Sequence, residues 1–264
     1  MKNSVRFACT SLKGTNKVGI LPVDENGYRT MIVGALNMFN SAGELYVAQE
    51  AKELFEGSSA FMRRVARGVL KAEYGHPKLL PGQSERSFAA RVLNIDEDRV
   101  CAHHKELWLQ DMTGPDGRPI LAIMSKVGVS GPFGATLERS LNNKDENVCF
   151  SIRAFTDDRM VGGINHRTLR QIITFDYVNE PGMSVAEKFK SPALEAFGKT
   201  IIDPSQFTTD YERTITRSML EAGLAEDTKN GVATESVLLT AGDLYRTMGW
   251  GPVNQEAPIW TMWR

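Results

Sequence analysis

Residues 28–39 are rich in Thr, Ile, Val and Met and follow the turn signal Asp24-Glu25-Asn26-Gly27, so the first forty residues read as β. From Tyr46 the period changes. Ala48, Ala51, Leu54 and Phe55 recur at helical spacing, and after Gly57-Ser58-Ser59 a second helix is expected with Phe61, Val65, Val69 and Leu70 on one side. Gly75 and Pro77 end that helix, because a proline turns the residue before it away from the α region, which places His76 at a helix exit. Residues 81–91 are polar and turn-rich and read as a loop. Residues 100–109 and 120–127 read as strands joined over Asp116-Gly117 into a hairpin. Phe133, Leu137 and Leu141 step by four and predict a short helix closed by Asn142-Asn143-Lys144-Asp145.

Residues 148–155 read as a strand with Val148, Phe150 and Ile152 on one face and Cys149, Ser151 and Arg153 on the other. Residues 168–178 form a further strand, ended by Asn179-Glu180-Pro181-Gly182. Thr209-Asp210-Tyr211-Glu212 matches a capping box and predicts a helix through about Glu221, stopped by Gly223. Strands with interposed helices, followed by a helical last third, argue an α+β fold rather than an alternating α/β one.

Composition narrows the picture. The chain has 264 residues, 42% of them apolar and 24% charged, which suits a soluble globular protein with a real core. A net charge of -1 gives no reason to expect nucleic acid or an anionic membrane as partner. Apolar runs such as residues 31–36 are far below the roughly 20 residues of a membrane span, and the N-terminus lacks the apolar stretch of a signal peptide. Cys9, Cys101 and Cys149 are scattered and make no metal-binding spacing, so a reducing, cytoplasmic setting is expected. The C-terminal 15 residues carry three of the four tryptophans, and such a tail is either docked or costly in water. No glycine-rich phosphate loop opens a helix, so no nucleotide cofactor is expected.

Two stretches carry candidate chemistry. Ala72-Glu73-Tyr74-Gly75-His76-Pro77 presents one of only four histidines, and Val148-Cys149-Phe150-Ser151-Ile152-Arg153 presents a hydroxyl on the non-apolar face of a strand. An imidazole beside a serine is the minimum set for acyl transfer, since the neutral ring takes the proton that makes the oxygen nucleophilic. Each residue also has a plainer reading: His76 as a helix cap, Ser151 as a strand serine bonded to backbone, Arg153 in a surface salt bridge. His103-His104 invites a metal site, with His76 joining only if a loop folds back, but neighbouring strand residues point to opposite faces.

In this order and spacing the motifs resemble the prohead (procapsid maturation) protease of tailed phages, serine peptidases with a fold like herpesvirus assemblin. The resemblance runs over residues 40–186. Leu45-Tyr46 is similar to a family segment leading into a helix, and Tyr74-Gly75-His76-Pro77 to its L-N-H-P. Asp98-Arg99-Val100 with Glu106-Leu107-Trp108 resembles the following stretch. Residues 148–153 are similar to G-V-S-S-R-G, and Asp176 with Pro181 to V-D-x-V-x-x-P. Gly75 stands in place of Asn, Ile152 in place of the second Ser, Ala154 in place of Gly, and the loop 78–94 is long.

The resemblance implies a β-barrel-like protease core over 1–190 with surrounding helices, and a helical C-terminal extension over 191–264. It implies His76 as base, Ser151 as nucleophile and Asp176 as the group that orients the ring, with Asp98, His166 and Asp96 as alternatives. Arg153 is the oxyanion or network candidate. No cofactor or metal is implied. The expected activity is serine endopeptidase cleavage of phage scaffold or core and major capsid proteins, and of the chain itself, inside the procapsid in the host cytoplasm. A homo-oligomer fits that setting. The alternative is a decayed homologue serving as a structural capsid or tail protein, and a weaker one is a metal-dependent hydrolase built on His103 and His104.

Overall fold

The computed structural model describes residues 4–12, 20–57, 59–191 and 207–251. Two sheets carry the fold. The six-stranded one contains β1 (Ser4–Leu12), β3 (Met38–Phe39), β4 (Leu45–Val47), β8 (Cys149–Val161), β9 (Ile164–Val178) and β10 (Phe207–Thr216), in the order β10-β1-β8-β9-β4-β3. The four-stranded one contains β2 (Arg29–Leu36), β5 (Lys71–Glu73), β6 (Val100–Thr113) and β7 (Pro119–Val129), in the order β2-β7-β6-β5. An isolated bridge, Tyr74 to Tyr177, ties the end of β5 to β9, and the sheets curl into a half-barrel. The expected β6–β7 hairpin is present, turning over Gly117, where φ is +81°.

The larger core fills the space between the sheets with Ile32, Ile123, Phe150, Ile152 and Phe175. A second core lies on the outer face of the six-stranded sheet. There Val5, Phe155 and Ile173 are covered by Phe88 and Val92 of α2 (Glu85–Leu93), Leu220 and Leu224 of α4 (Arg217–Lys229), and Val237 and Leu244 of α5 (Glu235–Thr247). Residues 207–251, read from sequence as part of an extension, thus return to the sheet: β10 pairs with β1, and α4 and α5 roof its outer face. α1 (Ala60–Ala66) and α3 (Gly134–Asn142) complete the helices described here. Of the five, α1, α2, α4 and α5 start at a Ser or Thr whose side chain accepts a first-turn amide: Ser59, Ser84, Thr216 and Thr234. No described helix is long and apolar enough to cross a membrane.

Several expected elements differ. Tyr46 lies in β4, not at the start of a helix, because Asn37, at φ +55°, turns the chain back so that its N–H meets Tyr46 O and its side chain accepts from Ala48 N. The helical spacing of Ala51 and Leu54 serves a short 3-10 turn, Ala51–Phe55. α1 stops at Ala66 and Gly68 reverses the chain at φ +68°, so Leu70 lies outside the helix, just before strand β5, and His76 follows a strand, not a helix. The loop expected at 81–91 holds α2, whose buried Phe88, Ala89, Val92 and Leu93 form its inner stripe.

The capping-box match at Thr209 fails because the β-branched run up to Thr216 is taken by pairing with β1, and Thr216 caps α4 instead. Gly223 sits inside α4 rather than ending it. A Cβ there would lie 2.3 Å from Arg86 O and 2.9 Å from Ala90 Cβ, so the glycine lets α4 approach α2.

Candidate active site

The ladder between β8 and β9 sets Ser151 directly opposite Asp176. Opposed residues of an antiparallel pair leave the sheet on the same face, with Cα atoms about 5 Å apart. Phe150 and Ile152 turn the other way into the core between the sheets, so the expected alternation along β8 holds where the chemistry lies.

His76 reaches this face through its loop. After β5, Tyr74 N–H donates to Arg99 O and Gly75 N–H to Tyr177 O at 2.7 Å, and Gly75 takes φ +80°. Glycine accepts such a conformation without a Cβ penalty, so Gly75 suits this turn. The ring is then brought to Asp176, with Nδ1 2.8 Å from Oδ2.

Asp176 is fully buried and accepts four hydrogen bonds. Glu73 N–H (3.0 Å) and Arg153 Nη2 (2.8 Å) reach Oδ1; His76 Nδ1 (2.8 Å) and Arg153 Nε (2.7 Å) reach Oδ2. That fills the acceptor sites of an ionised carboxylate. Burial by itself raises the carboxyl pKa, but the Arg153 guanidinium and then His76 outweigh it and hold Asp176 well below the usual carboxylate range. An ionised Asp176 can only accept, so Nδ1 carries the ring proton and Nε2 is the basic nitrogen of neutral His76.

Arg153 is wholly buried, which removes the surface salt-bridge reading. Besides Asp176, its Nη2 binds Glu73 Oε1 at 2.9 Å and its Nη1 donates to Asn94 O at 3.0 Å. All three nitrogens of the guanidinium are therefore committed to protein acceptors. Burial opposes its charge, yet Asp176 and Glu73 raise its pKa above an already high value.

Glu73 belongs to the 72–77 stretch, where the sequence alone assigns it no role. It is fully buried and binds Arg91 through both oxygens, at 2.9 and 2.5 Å. The sequence signal was its place three residues before His76, but its partner lay in a stretch read as loop.

The other named residues lie elsewhere. Asp96 caps a 3-10 turn by accepting from Asp98 N, and Asp98 is exposed. His166 precedes Asp176 by ten positions on β9, about 33 Å of strand. His103 Nδ1 meets Tyr28 Oη at 2.9 Å, while fully buried His104 meets Ser125 Oγ at 2.8 Å and Phe175 O at 3.0 Å. The two are held apart on separate partners, and among the described residues no group of three or more His, Cys, Asp or Glu is arranged to hold a metal ion.

Ser151 also borders a narrow cleft lined by Val33, Gly34, Ile152 and Met183. The segment 182–191 closes one side of it. Phe150 N–H donates to Ala186 O and Lys188 N–H to Val148 O, while Ile32 N–H donates to Ser191 Oγ. This strap joins the edge of β2 to β8 beside the serine. Buried Lys188 fixes it by donating to Ser140 O and Asn143 O at the end of α3.

A model of the Peptidase S80 family matches residues 7–242. Among individual proteins, the capsid maturation protease of Pseudomonas phage phiKZ is 40% identical over 199 residues, 74% of this chain and 73% of that protein. The solved structure of the bacteriophage T4 capsid assembly protease, gp21, matches with a TM-score of 0.41 at 12% identity, covering 67% of this chain and 95% of that one.

Proposed function

The chain belongs to the Peptidase S80 family, and from that premise we propose that it is a serine endopeptidase of phage head maturation with Ser151 as nucleophile, His76 as general base and Asp176 as the ring's orienting group. One observation carries the reading: a single buried carboxylate binds His76 Nδ1 and stands across the ladder from Ser151.

In this mechanism His76 Nε2 takes the Ser151 hydroxyl proton as the oxygen adds to the scissile carbonyl. The imidazolium so formed is stabilised by Asp176, and its proton passes to the leaving amine as the acyl-enzyme forms. Water, activated by the same nitrogen, releases the acyl group and restores the serine. Arg153 acts as a positioning residue, because its donors are taken up by Asp176, Glu73 and Asn94.

The relative from phage phiKZ supports the biological setting. The substrates are phage scaffold or core and major capsid proteins, and the chain's own C-terminal residues, cleaved inside the procapsid within the host cytoplasm. A homo-oligomer within that shell and an assemblin-like barrel belong to the same reading. The departures at Ile152 and Ala154 are compatible with it, since both side chains lie in the core between the sheets, away from the Asp176 face.

The test incubates purified protein with procapsid core and shell proteins and follows their cleavage. Wild type is expected to cut them and Ser151→Ala to be inactive while folded. Cleavage that survives the substitution removes Ser151 as nucleophile. A folded wild type that cuts nothing favours the structural virion protein instead.

A further inference from the structure

We propose that Glu73 is a positioning residue for the reaction, setting the charge balance at His76 through Arg153 and Asp176; this rests on the serine-protease reading above.

The geometry forms a chain of alternating charge. Arg91 of α2 binds Glu73 through both carboxylate oxygens, Glu73 binds Arg153, Arg153 binds both oxygens of Asp176, and Asp176 binds His76. The backbone reinforces it at two points. Glu73 N–H donates to Asp176 Oδ1, so the glutamate is linked to the aspartate by its own amide as well as through Arg153. Asn94 O accepts from both Arg91 and Arg153, fixing the two guanidiniums to the same carbonyl.

Glu73, Arg153 and Asp176 have fully buried side chains, whereas Arg91 retains 21% side-chain exposure, so this charge chain runs from the molecular surface to the imidazole. Buried charges without full compensation are costly, and here two carboxylates face two guanidiniums with the ring at the end. A salt-bridge pair placed only for stability would not need to touch the ring's own carboxylate twice.

Other charged groups face this network. Asp96 from the turn after α2 lies 3.7 Å from Arg91 and donates its N–H to Glu73. Arg64 of α1 adds a like charge near Arg153. Cys101 and His104 of β6 sit within electrostatic reach of Asp176 and stay neutral, the thiol raised and the imidazole lowered by burial. Arg99 donates to Tyr74 O beside the His76 loop.

The arrangement predicts opposite effects from its two outer members. Loss of the Glu73 charge frees Arg153 to offset Asp176 more fully, so the imidazolium is less stabilised. Loss of the Arg91 charge leaves Glu73 under-compensated and stabilises the imidazolium. At an effective dielectric of about 20, one unit charge at such range moves a titration by about one pH unit.

The experiment measures the rate of fluorophosphonate labelling against pH for wild type, Glu73→Gln and Arg91→Gln. In parallel, the His76 ring is titrated by NMR in each protein carrying Ser151→Ala. The expected result is an acidic limb and ring midpoint about one unit lower in Glu73→Gln and higher in Arg91→Gln. Shifts of the same sign, or none, overturn the proposal even if activity falls, since lost packing alone does not invert with the sign of the charge removed. Should Glu73→Gln fail to fold, the partly exposed Arg91 still decides the matter: an unmoved midpoint in Arg91→Gln overturns it. Absence of labelling in wild type would sink the serine-protease reading, while the NMR titration would still test Glu73.

Discussion

Asp176 sets the protonation geometry of its surroundings because all four of its acceptor sites are filled by donors from three directions. Asp176→Asn keeps the shape but sets an NH2 group against Arg153 in either orientation, together with His76 in one and Glu73 N–H in the other. In both, the ring loses the ionised carboxylate that stabilises its protonated form, and the rate constant for peptide cleavage is expected to fall by about 10³ to 10⁴. A loss under tenfold in a folded variant would mean that Asp176 only stabilises the fold. At the same scale the sequence was informative where residues were scarce. With four histidines, one of them within Gly75-His76-Pro77, His76 could be picked out, and the alternation along 148–153 separated Ser151 from the core-facing Phe150 and Ile152. Glu73 could not be recognised in that way, because a glutamate in a strand gives no sign of a guanidinium partner eighteen positions away.

Elements were legible where one face is dry and the period is unbroken. Strands β6 to β9 and helix α3 fall where the pattern puts them. The failures share a cause: tertiary pairing overrode a local match. The Thr209-to-Glu212 match is a helix start by local rules, yet that backbone completes a ladder with β1. In α2 the inner stripe is short and interleaved with Arg86, Ser87 and Arg91, so the run reads as polar loop until α4 is laid against it.

The contact between α2 and α4 matters to the site because α2 carries Arg91. Gly223→Ala is expected to cost about 1–3 kcal/mol, as overpacking does, since its Cβ would meet Arg86 O at 2.3 Å. Gly34→Ala should cost less than this, because its Cβ falls 2.8 Å from Ile152 Cδ1, a side-chain end that can turn away, rather than from backbone. Urea unfolding of both variants checks this; wild-type stability in either would show that the helices or sheets shift apart without strain.

Over the whole molecule, buried titratable groups set the pH range in which the fold persists. Burial, only partly offset by the hydrogen bond to Phe175 O, lowers the His104 pKa to about 4. The unfolded chain therefore binds a proton on this residue between about pH 6.5 and 4 that the folded chain refuses. Stability on this account is fully present above pH 6.5 and declines by about 3 kcal/mol as pH falls to 4. Asp176 is depressed in its folded state, so its contribution is present above the ordinary carboxylate range and is lost only at still lower pH. Unfolding midpoints at pH 7 and 4.5 should differ in wild type and converge in His104→Gln; equal slopes in the two proteins would place the acid sensitivity elsewhere. The family-level order of motifs over 40–186 had suggested a barrel core, and the half-barrel with its bridge between Tyr74 and Tyr177 is what brings the His76 loop onto β9. Surrounding helices are implied by the resemblance, but which of them roof the outer sheet face is not, because that core is assembled from Val5, Phe88, Phe155 and Leu244, spread across the chain.

The proposed roles of Ser151 as nucleophile and His76 as its activating base are read out by fluorophosphonate labelling followed by peptide mapping. Wild type is expected to form one adduct, on Ser151, which is lost or slowed at least a hundredfold in His76→Ala. An adduct on another serine, or labelling of Ser151 at the same rate without His76, would remove these roles.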